Sequence, residues 1–359
     1  MHALASRRIL RLALGTSLCL AFSQAVAWQL SFIAPIITLM ILSTPMPVFG
    51  LKKGLAFMLA MLLPVIIAMG MLPFLMHARW AGILMLALAL FYSFHFTAKG
   101  GPAVLGTFIT IGLTLVVTIG SVSPALMTTL VESLALGLMF GLCFVWIAHA
   151  LLPDRQSKMA AAQPPRPKPT AVDPQTALRG ALKALLVVLP LALVFLFISG
   201  STSYTAVMIK VSSMGQQATT EDSRKMGRSL LFSTFWGGVG AIAIWYLLSI
   251  WPSLLLYCLA VALIGLIFGR RIFVGKSLAA DAGNWSYAYL TMIVIIAPSV
   301  LDGFGSDGAT SAFWFRIGLF VAIAVYGSVA VAVFDAFWPE RKKEGTAPPA
   351  DHSAATNTA

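Results

Sequence analysis

Between Arg11 and Lys52 the chain runs for 40 residues without one charged side chain. A helix needs about 20 apolar residues to cross the hydrocarbon of a bilayer, so this run holds two crossings, with a turn near Trp28–Ser31. Runs of the same kind follow at 55–75, 80–97, 103–122 and 125–151. After a polar interval they resume at 182–200, 202–216, 229–249, 252–269, 284–301 and 312–336. The runs far exceed the ~9–11 residues of a tilted barrel strand, and they do not alternate. Composition agrees: 59% of the residues are hydrophobic and only 10% charged, against about 25% charged in soluble domains. That excludes a soluble enzyme, a disordered chain and a disulfide scaffold. The sequence therefore predicts an all-α polytopic membrane protein of about twelve transmembrane helices, in contact with the lipid bilayer.

The formal net charge of +12 invites a nucleic-acid reading, which would need basic groups gathered on one solvated face. Here they sit in the short connections between apolar runs. With the N-terminus placed inside, 21 Lys and Arg fall on the cytoplasmic side and only Arg79 and Arg316 on the outer side, with Lys210 inside a span. The positive-inside rule accounts for that split without a nucleic-acid partner. It predicts a multi-pass membrane protein with both termini cytoplasmic. Arg7-Arg8, the apolar stretch after them and Ala25-Val26-Ala27 imitate a secretory signal, but an internal twin of the first span favours an uncleaved helix.

That twin belongs to a tandem repeat. At an offset of 172, Arg7 and Arg11 meet Arg179 and Lys183, Ser31, Ala34 and Ile37 meet Ser203, Ala206 and Ile209, and Lys99 meets Arg271. Near the end the offset has grown to 186, where Pro153-Asp154-Arg155 meets Pro339-Glu340-Arg341. Six spans per half make the repeats parallel, related by an axis along the membrane normal. The expected domains are a first six-helix repeat (1–152), a Pro-rich cytoplasmic linker (153–177), a second six-helix repeat (178–339) and a disordered cytoplasmic tail (340–359).

Arg11-Leu-Ala-Leu-Gly15 opens the first span. The second carries Pro35-Ile-Ile-Thr-Leu and ends at Ser43-Thr-Pro45, before a basic loop and Gly54. The second half repeats the plan with Arg224-Lys225-Met-Gly227-Arg228 before a glycine-rich span. In these motifs both membrane halves resemble the fusaric acid resistance / aromatic acid exporter superfamily, in a compact form without the large cytoplasmic domain many relatives carry between the halves. The resemblance implies inner-membrane efflux of small, often aromatic, carboxylic acids, commonly alongside a periplasmic adaptor (membrane fusion) protein.

Lys210 is the most informative single residue. A lysine at mid-membrane costs about 2.5–3.5 kcal/mol even on the lenient insertion scale, so it calls for a cavity or a partner; snorkelling to an interface is the alternative. Ser203, Lys210, Ser213 and Gln217 fall on one helical face. The repeat twin of this span places Ser31 and Thr38 at matching positions and is kinked by Pro35. Weak spans at corresponding places of two repeats point to a transport site, so these six residues are the expected substrate-binding set. Glu132 and Arg316, at similar depth in twin spans six and twelve, form an expected ion pair or proton-coupling site. Thr107, Thr110, Thr114 and Thr118 stripe one helix, read mainly as packing with hydroxyls bonded back along the helix. Gly137, Gly141, Gly237, Gly238 and Gly240 read as close helix contacts.

Three enzyme-like signals fail. Gly269 to Gly275-Lys276-Ser277 has one residue too many for a phosphate loop and follows a membrane span. His149-x4-Asp154 matches an acyltransferase spacing, but its repeat twin has Asp335 in place of the histidine. The five histidines never pair at i, i+4, so no metal site is visible. The expectation is no enzyme, no catalytic residue, no cofactor and no metal. The expected function is export of small organic anions, aromatic acids first among them, driven by an ion gradient. The alternatives are a non-transport component of an envelope or secretion complex and, further off, a membrane acyltransferase. A homo-oligomer is left open.

Overall fold

The computed structural model describes residues 2–28, 30–44, 50–121, 124–153, 173–197, 203–220, 223–274, 278–301, 303 and 307–338. Most of the expected linker and all of the expected tail lie outside them. The described residues form twelve helices: α1 (His2–Val26), α2 (Ile33–Leu42), α3 (Leu51–His77), α4 (Arg79–Ala98), α5 (Ala103–Gly120), α6 (Pro124–Leu151), α7 (Pro174–Phe197), α8 (Ser203–Thr220), α9 (Ser223–Ile250), α10 (Leu254–Phe273), α11 (Leu278–Leu301) and α12 (Asp307–Phe337). Among them there is no strand. In a bilayer every backbone polar group must be satisfied within the segment, which a helix does. Prolines stand at the first position of α6 and α7, where the missing N–H has no intrahelical partner to lose.

Ten of the twelve helices are long and apolar enough to cross a membrane. The two that fall short are α2 and α8, the repeat twins. The sequence predicts full crossings for both. In the structure α2 is only 10 residues, or ~15 Å, about half the hydrocarbon thickness. Its place in the bundle follows from glycine contacts. Gly137 of α6 lies against Ile33, and Gly141 lies against Ala34 and Ile37. α2 thus runs parallel to α6, alongside its C-terminal half. The rest of the crossing begins in a non-helical turn, where Ala27 and Leu30 both take left-handed backbone angles (φ 53° and 56°). For residues with a Cβ this costs about 1–2 kcal/mol each. α8 reaches 18 residues, four beyond its expected end, but is too polar to count as a simple apolar span.

The ends of the helices identify a single basic face. Arg7 donates to the carbonyl of Pro153 (3.1 Å), which joins the start of α1 to the end of α6. Arg179, the repeat twin of Arg7, donates to Asp335 (2.9 Å) and to the carbonyl of Trp338, which joins the start of α7 to the end of α12. In both halves a first-helix arginine thus caps the last helix, where a cation meets the negative end of the helix dipole. Gly54 against Trp146 and Gly269 against Ile9 bring the start of α3 and the end of α10 to the same face. Arg79 and His77 mark the opposite one.

Packing repeats with a shift of six helices. α1 packs along α10 as α4 packs along α7; α3–α5 recurs as α9–α11; α1–α2 recurs as α7–α8. The two halves are therefore interlocked, each giving its first helix to the other's fourth. At the centre lie the twins α2 and α8 together with α5 and α11. Every residue of α2 is buried, as are residues 207–218 of α8 and 288–299 of α11. The outer faces of α3, α4, α9 and α10 carry exposed Leu, Ile, Phe and Trp, as lipid contact requires.

Candidate functional site

α8 carries its polar residues into the middle of the bundle. Lys210 is 2% exposed. Its ammonium donates to Thr291 Oγ1 on α11 (2.8 Å) and to Ser233 Oγ on α9 (3.4 Å). Ser233 passes its own proton to the carbonyl of Leu230, so its oxygen is free to accept. Close approach of α9 and α11 makes this arrangement possible: a Cβ on Gly237 would meet the Ala288 carbonyl and the Thr291 side chain at 2.7 Å. Among the described residues no carboxylate forms an ion pair with Lys210; the one such pair is Arg179–Asp335, at the basic face.

The opposite side of α8 faces α5. Ser212 pairs with Thr114 (3.0 Å), and Gln216 donates to Thr110 (3.0 Å), which also meets Ser93 of α4 (3.0 Å). The threonine stripe does what packing predicts: Thr107, Thr110, Thr114 and Thr118 each donate to the carbonyl four residues earlier. Thr110 and Thr114 take part in the polar core as well. Uncharged hydrogen-bonded pairs on one side of α8 and a lone cation on the other make it the polar axis of an otherwise apolar bundle.

Of the expected substrate set, Lys210, Ser213 and Gln217 are buried on α8. Ser213 donates back to the Lys210 carbonyl (2.8 Å). Ser203 opens α8, but its side chain lies outside the described residues. The twin residues on α2 do not join them. Thr38 donates to the carbonyls of Ala34 and Gly141, fastening α2 to α6. Ser31 is fully buried at the turn before α2, and its hydroxyl has no hydrogen-bond partner among the described residues. The buried Trp28 Nε1 of that turn and Gln24 Nε2 near the end of α1 likewise have no hydrogen-bond partner among the described residues. α11 packs against both α2 and α8 and so stands between the two sets.

The expected Glu132–Arg316 pair is not formed. Glu132 is exposed on the outside of α6, whereas Arg316 is 3% exposed and donates to Ser299 of α11 (2.9 Å). Matched depth did not bring the two together, because their side chains leave their helices in different directions: one outward, the other toward a serine on the neighbouring helix. The glycine contacts form at Gly137, Gly141, Gly237 and Gly240, while Gly238 faces open space. His149 turns Nδ1 to the Val145 carbonyl of its own helix (2.8 Å), and Asp335, at the place of its twin, holds Arg179.

Thr291, Ser233 and Ser93 were missed by the sequence reading. Each is a hydroxyl in a largely apolar run, and only the fold reveals which of them meets a charge. Among the described residues no cluster of His, Cys, Asp or Glu could hold a metal ion. A shallow apolar cavity of about 320 Å³, bordered by Met69, Leu72, His77, Gly120 and Met127, lies at the face opposite the basic one, away from Lys210.

Residues 8–148, spanning α1 to most of α6, match a family model described as a protein of unknown function (DUF2955). The match covers the first half and establishes a likeness of that half to the family. No curated protein and no solved structure matches the chain.

Proposed function

We propose that this protein is an inner-membrane exporter of small organic anions, with aromatic carboxylic acids as the leading substrates, powered by an ion gradient and lying with both termini in the cytoplasm. One observation carries the reading: a lysine ammonium sits in the centre of a membrane bundle and is held by two neutral hydroxyls. A cation there is costly, and a transported carboxylate would supply the missing charge for part of the cycle. Its setting supports the same reading. Lys210 sits on one of the two helices that fall short as spans, and those helices are repeat twins, the arrangement in which transporters bind at the midplane. Buried hydrogen-bonding groups near the turn before α2, without a partner among the described residues, add donors on the twin side. The motif resemblance of both halves to the aromatic acid exporter superfamily points to the substrate class, and to a periplasmic adaptor as partner.

The test is efflux of a labelled aromatic acid, such as benzoate, from cells lacking and then re-supplied with the protein. Wild type should lower retained label, while Lys210→Met at matched protein level should not. Equal retention with and without the wild-type protein, across a panel of aromatic acids, would overturn the proposal in favour of a non-transport role.

A further inference from the structure

At the basic face, α9 and α10 diverge. Each packs on α11, and on each other far less, so they leave a lateral groove with α11 as its floor. Trp285 of α11 lies on that floor. Phe232 and Trp236 of α9 pack on it at centroid distances of 5.0 and 5.6 Å, and Phe268 of α10 at 5.2 Å. Above the tryptophan stands the guanidinium of Arg271, 5.8 Å from the ring centroid. Lys225 and Arg228 lie on the same stripe of α9 as Phe232, seven and four residues before it, and all three cations are exposed. None of the three makes an ion pair among the described residues, so the basic ends of α9 and α10 present unpaired cations beside the aromatic cluster.

We infer that this groove holds the phosphate headgroup of an anionic phospholipid from the leaflet bordering the basic face. The chemistry has two parts. Arg271, Arg228 and Lys225 offer charge-assisted donors to phosphate oxygens, as basic pockets between membrane helices do. Below them, Trp285 presents an amphipathic ring at the depth where headgroup gives way to acyl chain. Exposed Phe235 and Leu231 continue the wall of α9 along the path of the acyl chain. A free phosphate would have no use for that apolar continuation, which favours a lipid as the occupant. The first half lacks the feature. Lys52 and Lys99 stand at the matching helix ends, but residues 103–110 of α5 include no tryptophan. The groove is thus a property of the second repeat alone, independent of Lys210 and of any transported acid.

The experiment is native mass spectrometry of the purified full-length protein in detergent, titrated with phosphatidylglycerol or phosphatidylcholine. Wild type should retain phosphatidylglycerol in preference to phosphatidylcholine. Each basic residue near an anionic surface is worth about a five-fold change in binding, so Arg228→Ala with Arg271→Ala should weaken retention about 25-fold. Arg228→Lys with Arg271→Lys should keep most of it, showing that charge and not misfolding is the cause. Lys52→Ala with Lys99→Ala should leave it unchanged. Equal retention by wild type and the double alanine variant, or no preference between the two lipids, would overturn the inference. So would displacement of the lipid by millimolar inorganic phosphate, which would make this a free-anion site, or by benzoate, which would make it an access port for the transported acid.

Discussion

At the scale of the residue, Lys210 is a buried charge whose cost is turned into a specific contact. Its charge opposes insertion, and Thr291 and Ser233 offset part of that cost. Lys210→Met keeps length and apolar volume, and should raise the thermal midpoint of the detergent-solubilised protein by several degrees while lowering benzoate efflux at least ten-fold; unchanged efflux would return the lysine to a structural role. Thr291→Val should act in the opposite sense. A hydrogen bond to a charged group is worth about 1.5–3 kcal/mol, so the valine should destabilise the wild type by that order and have almost no effect in the Lys210→Met background. Equal losses in both backgrounds would show that Thr291 acts by packing alone. The lysine was legible in the sequence because a charge in an apolar run stands out. Its partners were not, because a threonine in a membrane helix usually bonds to its own backbone, as Thr107 and Thr118 do.

At the scale of the element, α2 decides how the first half closes. Gly141 admits it so closely that an added Cβ would lie 2.9 Å from the Ile37 Cβ and 3.0 Å from the Ala34 carbonyl. Because the second of these is backbone, α2 would have to move. Gly141→Leu should destabilise the protein by about 1–3 kcal/mol or more and lower its level in the membrane. Gly238→Leu, on a glycine facing open space, should be tolerated. The check is the monodisperse fraction recovered in detergent. Both glycines look alike in the sequence, and only the direction in which each faces separates them. The short length of α2 was equally hidden: its composition is apolar enough for a crossing, and the helix begins only at Ile33 because the preceding segment turns through left-handed geometry at Ala27 and Leu30.

At the scale of the whole molecule, the interlocked halves make a prediction about assembly. Residues 1–153 expressed alone leave α1 without α10 and α4 without α7, two of the principal helix contacts between the halves. That half should fail to accumulate, and co-expression with residues 173–359 should restore it; stable accumulation of the isolated half would contradict the interlocking. The basic face predicts topology as well. Reporter fusions at Lys168 and in the tail should both signal a cytoplasmic location, since positively charged connections resist export.

The sequence by itself determined the fold class, the number of helices and their duplication. Each of these rests on runs of many residues, and the hydrophobic signal of a long run survives the loss of any single position. It also singled out Lys210, because an isolated charge in such a run is costly wherever the helix goes. Only the tertiary structure decided direction: which way Glu132 and Arg316 point, which hydroxyls meet the ammonium, that α1 belongs beside α10, and that α9 and α10 part to expose Trp285 beneath Arg271. These depend on helix rotation and on pairs far apart in the chain, and a sequence read along one dimension carries the depth of a residue in the membrane but not its azimuth.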